Sequence, residues 1–214
     1  MSAFEVMWKE FYEMVTNSLD EKSLPLKKNI PYYVLVESMG SDQVKDEEHF
    51  ESLLQKALED SVIVDAVLAK SEKERKALWA FRDDVEKQAQ YGPTVMFDVS
   101  LPINEMEEYV SKVDLNLQKH WKEFHHIVWG HLADGNLHLV VGTGNLESDT
   151  IQKIENSVYE PLERIGGSIS AEHGIGLEKK PYLHLSRSEA EINYMKALKD
   201  TFDPKGILNP GLIF

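Results

Sequence analysis

The sequence predicts an α+β fold, a mostly antiparallel sheet with helices packed on one face. Three observations predict it. Apolar residues recur at helical spacing in some segments and run on or alternate in others, so helices and strands intermingle along the chain. Two strand-like stretches, His126-Ile127-Val128-Trp129 and Leu137-His138-Leu139-Val140-Val141, are separated only by a short turn holding Asp134-Gly135, the signature of a hairpin. No glycine-rich fingerprint opens a helix after the first strand, which argues against a doubly wound parallel sheet.

Taken in order, residues 3–17 place Phe4, Met7, Trp8, Phe11 and Val15 on one helical face, with Ser2 as the N-cap. Lys22 to Pro31 is a basic, proline-interrupted connector, so residues 1–30 read as a helix and linker ahead of a main domain over residues 31–214. Tyr32-Tyr33-Val34-Leu35-Val36 predicts a buried strand, and Phe50, Leu53, Leu54, Ala57 and Leu58 the next helix. A strand is expected over 62–69 and a charged helix over about 71–90, with Ala77, Leu78 and Phe81 inward. Val95 to Leu101 reads as a strand ended by Pro102, and about 104–117 as a helix before the hairpin. Beyond it come a helix carrying Ile151, Ile154, Val158 and Leu162, a short strand over Ser168-Ile169-Ser170, and a last helix from about Ser188 to Thr201. The tail from Phe202 to Gly211 is turn-rich and expected to be irregular.

Composition narrows the function. The 214 residues are 42% hydrophobic, enough for a core, and carry a formal net charge of -14, which disfavours nucleic acid and anionic membrane surfaces as partners. An acidic protein that takes an acidic small molecule needs a local cationic site, so a metal and particular arginines gain interest. With no cysteine, disulfides and cysteine-type metal sites are excluded. No apolar run approaches a membrane span, and the acidic N-terminus is neither a secretory signal nor a transit peptide.

The hairpin carries the chemistry. His131 and His138 flank its turn; if residues 133–136 form the loop they are cross-strand partners, with Cβ atoms roughly 4.5–5.5 Å apart, suited to gripping one metal ion. Glu172, in the glycine-rich stretch Ser170-Ala171-Glu172-His173-Gly174-Ile175-Gly176, is the nominated third ligand. Two histidines and a carboxylate bind catalytic zinc and equally non-haem iron, so ligand type alone leaves the metal open. The ordinary fates of these residues are a solvated or hydrogen-bonded hairpin histidine, and a Glu172 that caps a turn or pairs with Lys179 or Lys180. His120, His125 and His126 lie nearby without being expected as ligands.

Three stretches, Trp129 to His138, Ser170 to Gly176 and Phe202 to Gly211, extended upstream by Trp79-Ala80-Phe81-Arg82 and Asp98-Val99-Ser100-Leu101-Pro102, together carry a resemblance. In order and spacing the chain resembles the C-terminal domain of FAD-linked oxidases. These are flavoproteins of the vanillyl-alcohol-oxidase type that act on D-2-hydroxy acids, such as D-lactate and D-2-hydroxyglutarate dehydrogenases and glycolate oxidase subunits. The resemblance implies a ferredoxin-like cap domain, with FAD held mainly by a separate domain or subunit. It implies zinc on His131, His138 and Glu172, and His173 as the base beside the flavin. Arg82 would grip the substrate carboxylate, and Asn209 would lie in a tail that approaches the flavin domain.

The implied reaction sends a hydride from C2 of the hydroxy acid to the flavin and the hydroxyl proton to His173. The family pattern is broken at Met96, Glu86 and Val140, where hydroxyglutarate enzymes often carry a lysine, a threonine and an asparagine. A pocket that loses a cation and gains an acid is expected to prefer a monocarboxylic 2-hydroxy acid. Because no FAD-binding domain precedes Met1, a fragment of a longer chain is expected, inactive alone, in the cytoplasm or mitochondrial matrix rather than secreted. A homodimer is compatible with this reading. Two rival functions are a standalone metal-binding module whose chemistry has lapsed and a non-haem iron enzyme using the same His/His/Glu ligands.

Overall fold

Strands β1 (Ala3–Trp8), β2 (Tyr32–Glu37), β3 (Thr94–Ser100), β4 (His125–His131) and β5 (Asn136–Gly142) form one antiparallel sheet in the order β2-β1-β4-β5-β3. The helices are α1 (Lys9–Thr16), α2 (Gln43–Glu59), α3 (Glu72–Asp83), α4 (Met106–Gln118), α5 (Ser148–Glu163), α6 (Gly176–Lys179) and α7 (Glu189–Phe202). This computed structural model describes residues 1–213, and its class is α+β, as the sequence predicts. Two compact units divide the chain: residues 1–90 with 129–132, and residues 91–128 with 133–214.

In the first unit, β1 pairs antiparallel with β2 from Ala3↔Glu37 to Trp8↔Tyr32 and with the end of β4 at Glu5↔His131 and Met7↔Trp129. The helix expected over residues 3–17 is therefore half strand. Phe4, Val6 and Trp8 also alternate, and alternation is the period of a strand. Both periods fit so short a run, and backbone hydrogen bonds to strands on either side decide between them. The helix starts only at Lys9; Phe11, Met14 and Val15 are fully buried, and Phe11 lies 5.0 Å from Trp129. Tyr12 stacks on Tyr33 at 3.7 Å and donates its hydroxyl to the Leu26 carbonyl at 2.8 Å, while Tyr33 donates to Lys27. The basic connector is thus pinned by two phenols.

The strand expected over 62–69 does not form. Val62 and Val64 are each 75% exposed, and Ser61 turns the chain with φ 56°. A short apolar run becomes a strand only beside a free sheet edge, and none takes this one up. The helix expected over 71–90 stops at Asp83 and passes into a 3-10 turn over Val85–Tyr91.

In the second unit, β3 and β5 pair along their whole length, from Thr94↔Gly142 through Asp98↔His138 to Ser100↔Asn136. Against them pack α4 and α5: Val113, Leu117, Ile154, Val158 and Leu162 are fully buried, as are Val99, Leu139 and Val141. Tyr109 hydrogen-bonds the Val158 carbonyl at 3.0 Å and so ties the two helices. The stretch Ser168-Ile169-Ser170 makes a single bridge, Ser100↔Ser168, rather than a strand. The hairpin turn occupies residues 132–135, one residue earlier than the expected 133–136. Gly135 closes it with φ 71°, and a Cβ there would stand 2.7 Å from the Leu101 carbonyl oxygen. The shifted loop removes the premise on which His131 and His138 were expected to face each other directly across the hairpin.

Candidate metal and substrate site

Asp98 organises one half of the site. It lies at the centre of β3, in register with His138, with its side chain only 2% exposed. Its Oδ2 accepts the backbone N–H groups of Ala171 (3.1 Å), Glu172 (2.9 Å) and His173 (3.0 Å). Three successive N–H groups on one oxygen make an anion nest, which fixes the loop that presents Glu172 and His173. Lys179 closes it from α6, with Nζ 3.5 Å from the same oxygen and 3.0 Å from Ser170 Oγ. Burial opposes ionisation of Asp98, but the His173 and Glu172 N–H groups and the Lys179 ammonium outweigh it, holding its carboxyl below the ordinary range. Gly174, with φ 78°, lets the loop turn back so that its carbonyl accepts the Ser170 hydroxyl at 2.8 Å.

On this loop His173 is 63% exposed, with Nε2 4.0 Å from a Glu172 carboxylate oxygen and Nδ1 3.8 Å from Asp98 Oδ2. His138 stacks near it, ring centroids 6.1 Å apart, and turns Nδ1 toward Asp98 Oδ1 at 4.0 Å.

The other cluster is built by β1, α3 and the end of β4. Glu5, a buried acid within a strand, receives Arg82 Nε on Oε2 at 2.8 Å and faces His131 Nδ1 with Oε1 at 2.7 Å. Arg82 Nη2 stands 3.3 Å from His131 Nε2. A guanidinium can only donate, so Nε2 must be the accepting nitrogen and the proton resides on Nδ1, where Glu5 takes it. Two neighbours therefore fix the Nδ1–H tautomer, and the Nε2 lone pair accepts from Arg82, which has to turn away before Nε2 can meet a cation. That is the arrangement in which a carboxylate orients a metal-binding imidazole.

Within the second unit Asp98, Glu172 and His173 each offer one ligand atom, and these atoms lie within 4.8 Å of one another. Of the three expected ligands, His138 and Glu172 lie in this second unit and His131 in the first. His173 adjoins Glu172, and Arg82 meets His131. Asn209 stands exposed in the tail with φ 45°, and among the described residues no hydrogen bond links it to the cluster. Glu5, Asp98 and Lys179 were not anticipated as site residues. For the two acids there was a signal, since each interrupts an otherwise apolar strand; for Lys179 there was none.

A family model described as "FAD linked oxidases, C-terminal domain" matches residues 1–213. Across 98% of its length the chain is 36% identical to a mitochondrial D-2-hydroxyglutarate dehydrogenase of Danio rerio. Across 89% it is 33% identical to the D-2-hydroxyglutarate dehydrogenase of Stutzerimonas stutzeri. Across 98% it is 38% identical to a Schizosaccharomyces pombe mitochondrial protein whose name assigns it to the D-lactate dehydrogenases. The chain spans only 39–42% of the length of these three relatives. No helix among the described residues is long and apolar enough to cross a membrane.

Proposed function

The chain belongs to the FAD-linked oxidase C-terminal domain family, and from that membership we propose that it is the substrate- and metal-binding part of a flavoenzyme that oxidises a D-2-hydroxy acid to the 2-oxo acid. The observation that carries this reading is the gathering of Asp98, Glu172 and His173 ligand atoms within 4.8 Å, with the His138 ring beside His173. His131, His138 and Glu172 as donors suit a divalent cation such as zinc, and Glu5 orients His131 by its Nδ1–H, with Arg82 to be displaced from Nε2.

When bound, such a cation would supply Lewis-acid polarisation of the 2-hydroxyl, and FAD, held by a partner domain or subunit, would take up the hydride. His173 accepts the hydroxyl proton at a ring nitrogen. It is exposed, adjoins Glu172 and belongs to the one side-chain type whose ordinary pKa lies near neutrality. General-base catalysis of this kind is worth about 10²–10⁴-fold in rate. Arg82 grips the substrate carboxylate; Nε is committed to Glu5 and Nη2 to His131 Nε2, so the grip uses Nη1 or draws Nη2 off the imidazole. Asn209 would meet the flavin-binding partner from the tail. Relatives named as mitochondrial support placement in that organelle.

The test is elemental analysis of the chain after exposure to Zn²⁺ and Fe²⁺ and desalting. Stoichiometric zinc is expected, lost on His138→Ala or Glu172→Ala. Retention of iron in preference to zinc would favour the non-haem iron enzyme, and retention of neither metal would defeat both.

A further inference from the structure

Asp98 has two oxygens, and they face different partners, Oδ2 the 171–173 loop and Oδ1 His138. Oδ2 is saturated by the Ala171, Glu172 and His173 N–H groups and Lys179. Oδ1 is fully buried and accepts no hydrogen bond among the described residues. An ionised carboxylate oxygen left dry without a donor is costly, of order 1–3 kcal/mol or more, so such an atom needs an explanation. The polar group it faces is Nδ1 of His138, 4.0 Å away and directly opposite in the β3–β5 register.

We propose that Asp98 is the positioning residue of the metal site: one oxygen sets the loop that presents Glu172 and His173, while the other takes the Nδ1–H of His138. His138 is thereby held in the tautomer whose Nε2 carries the lone pair. The closure needed is small. A shift of about 1 Å brings the pair to the 2.7–2.9 Å of a charge-assisted hydrogen bond. A single buried carboxylate then orders three of the site's side chains, and Lys179 balances its charge. Glu5 serves His131 in the same manner by separate contacts. The inference rests on the metal-binding reading above, yet it makes a statement about the metal-free protein too.

The discriminating variant is Asp98→Asn. An amide of the same shape can keep its oxygen on the three loop N–H groups, but it then turns an NH₂ toward His138. Nδ1 must now accept, and the proton moves to Nε2, where it blocks the ligand atom. Two readouts follow on the 214-residue chain labelled with ¹⁵N-histidine, with His138→Gln used for assignment. In the metal-free wild-type chain near pH 8, His138 is expected as the Nδ1–H tautomer, and in D98N as Nε2–H. Zinc affinity, measured by chelator competition, is expected to fall about 10–100-fold in D98N with the far-ultraviolet circular dichroism unchanged.

A wild-type His138 protonated on Nε2 overturns the proposal at once, even if D98N fails to fold. Unchanged zinc affinity in a folded D98N overturns it as well. If the wild-type chain binds no zinc but the tautomer switches as described, the metal-binding reading falls and the positioning role of Asp98 stands.

Discussion

Glu5 shows what one side chain decides. A glutamate in the middle of Phe4-Glu5-Val6 is out of character for a strand buried between two neighbours, and its side chain is 7% exposed. The charge is tolerable because Arg82 Nε meets it at 2.8 Å and His131 Nδ1 at 2.7 Å. Removing one partner of a buried ion pair leaves the other charge uncompensated, which costs about 3–5 kcal/mol, well above what an exposed pair is worth. Glu5→Gln is therefore expected to lower the urea unfolding free energy by about 3 kcal/mol. A parallel Arg82→Met change should recover part of that in the double variant, since the stranded guanidinium is then gone. A loss below about 1 kcal/mol would show that the pair behaves as a surface pair.

At the scale of elements, local chemistry governs ends and turns, while pairing governs identity. Ser71 and Ser188 accept the N–H groups of Glu74 and Glu191 and so start α3 and α7 close to the expected positions. The tail after α7 has no regular structure, but it is clasped. Asp203 accepts the Ile207 and Leu208 N–H groups at 2.9 Å each and pairs with Lys199, which also donates to the Leu208 carbonyl at 2.6 Å. The Lys199 contact first, and the Leu208 and Ile207 N–H groups with it, hold the Asp203 carboxyl at about 2. Because the folded value lies below the unfolded one of about 3.9, the clasp is fully stabilising above that pH and weakens as pH falls toward 2. Limited acid proteolysis should accordingly begin in residues 203–212 between pH 4 and 2. Asp203→Asn should make cleavage there rapid already at pH 5; equal protection of variant and wild type would contradict the clasp.

For the whole molecule, on the function proposed above, the question is which acid the complete enzyme takes. Of the three departures from the hydroxyglutarate pattern, Met96 is 54% exposed and Glu86 is exposed, whereas Val140 is fully buried. Val140 therefore answers to the core of β5, and the selectivity argument rests on the other two. A lost cation and an added acid weaken the hold on a second carboxylate. In the complete flavoprotein kcat/KM for D-lactate is thus expected to exceed that for D-2-hydroxyglutarate by about tenfold or more, equivalent to at least 1.4 kcal/mol. Preference for the dicarboxylate would reverse that assignment while leaving the metal site untouched.

The sequence by itself determined the α+β class, the hairpin and its two histidines, the Glu172-His173 pair and most helices, because these are written in local periodicity and turn residues. Only the tertiary structure decided that residues 3–8 are a strand, that Val62 and Val64 stay out of the sheet, and that Glu5 and Asp98 stand behind His131 and the Glu172-His173 loop. The reason is physical. A backbone segment takes the partner that satisfies its N–H and C=O groups, and a buried carboxylate is explained only by donors that arrive from distant stretches of chain. Neither kind of partner is visible within the window over which sequence periodicity is read.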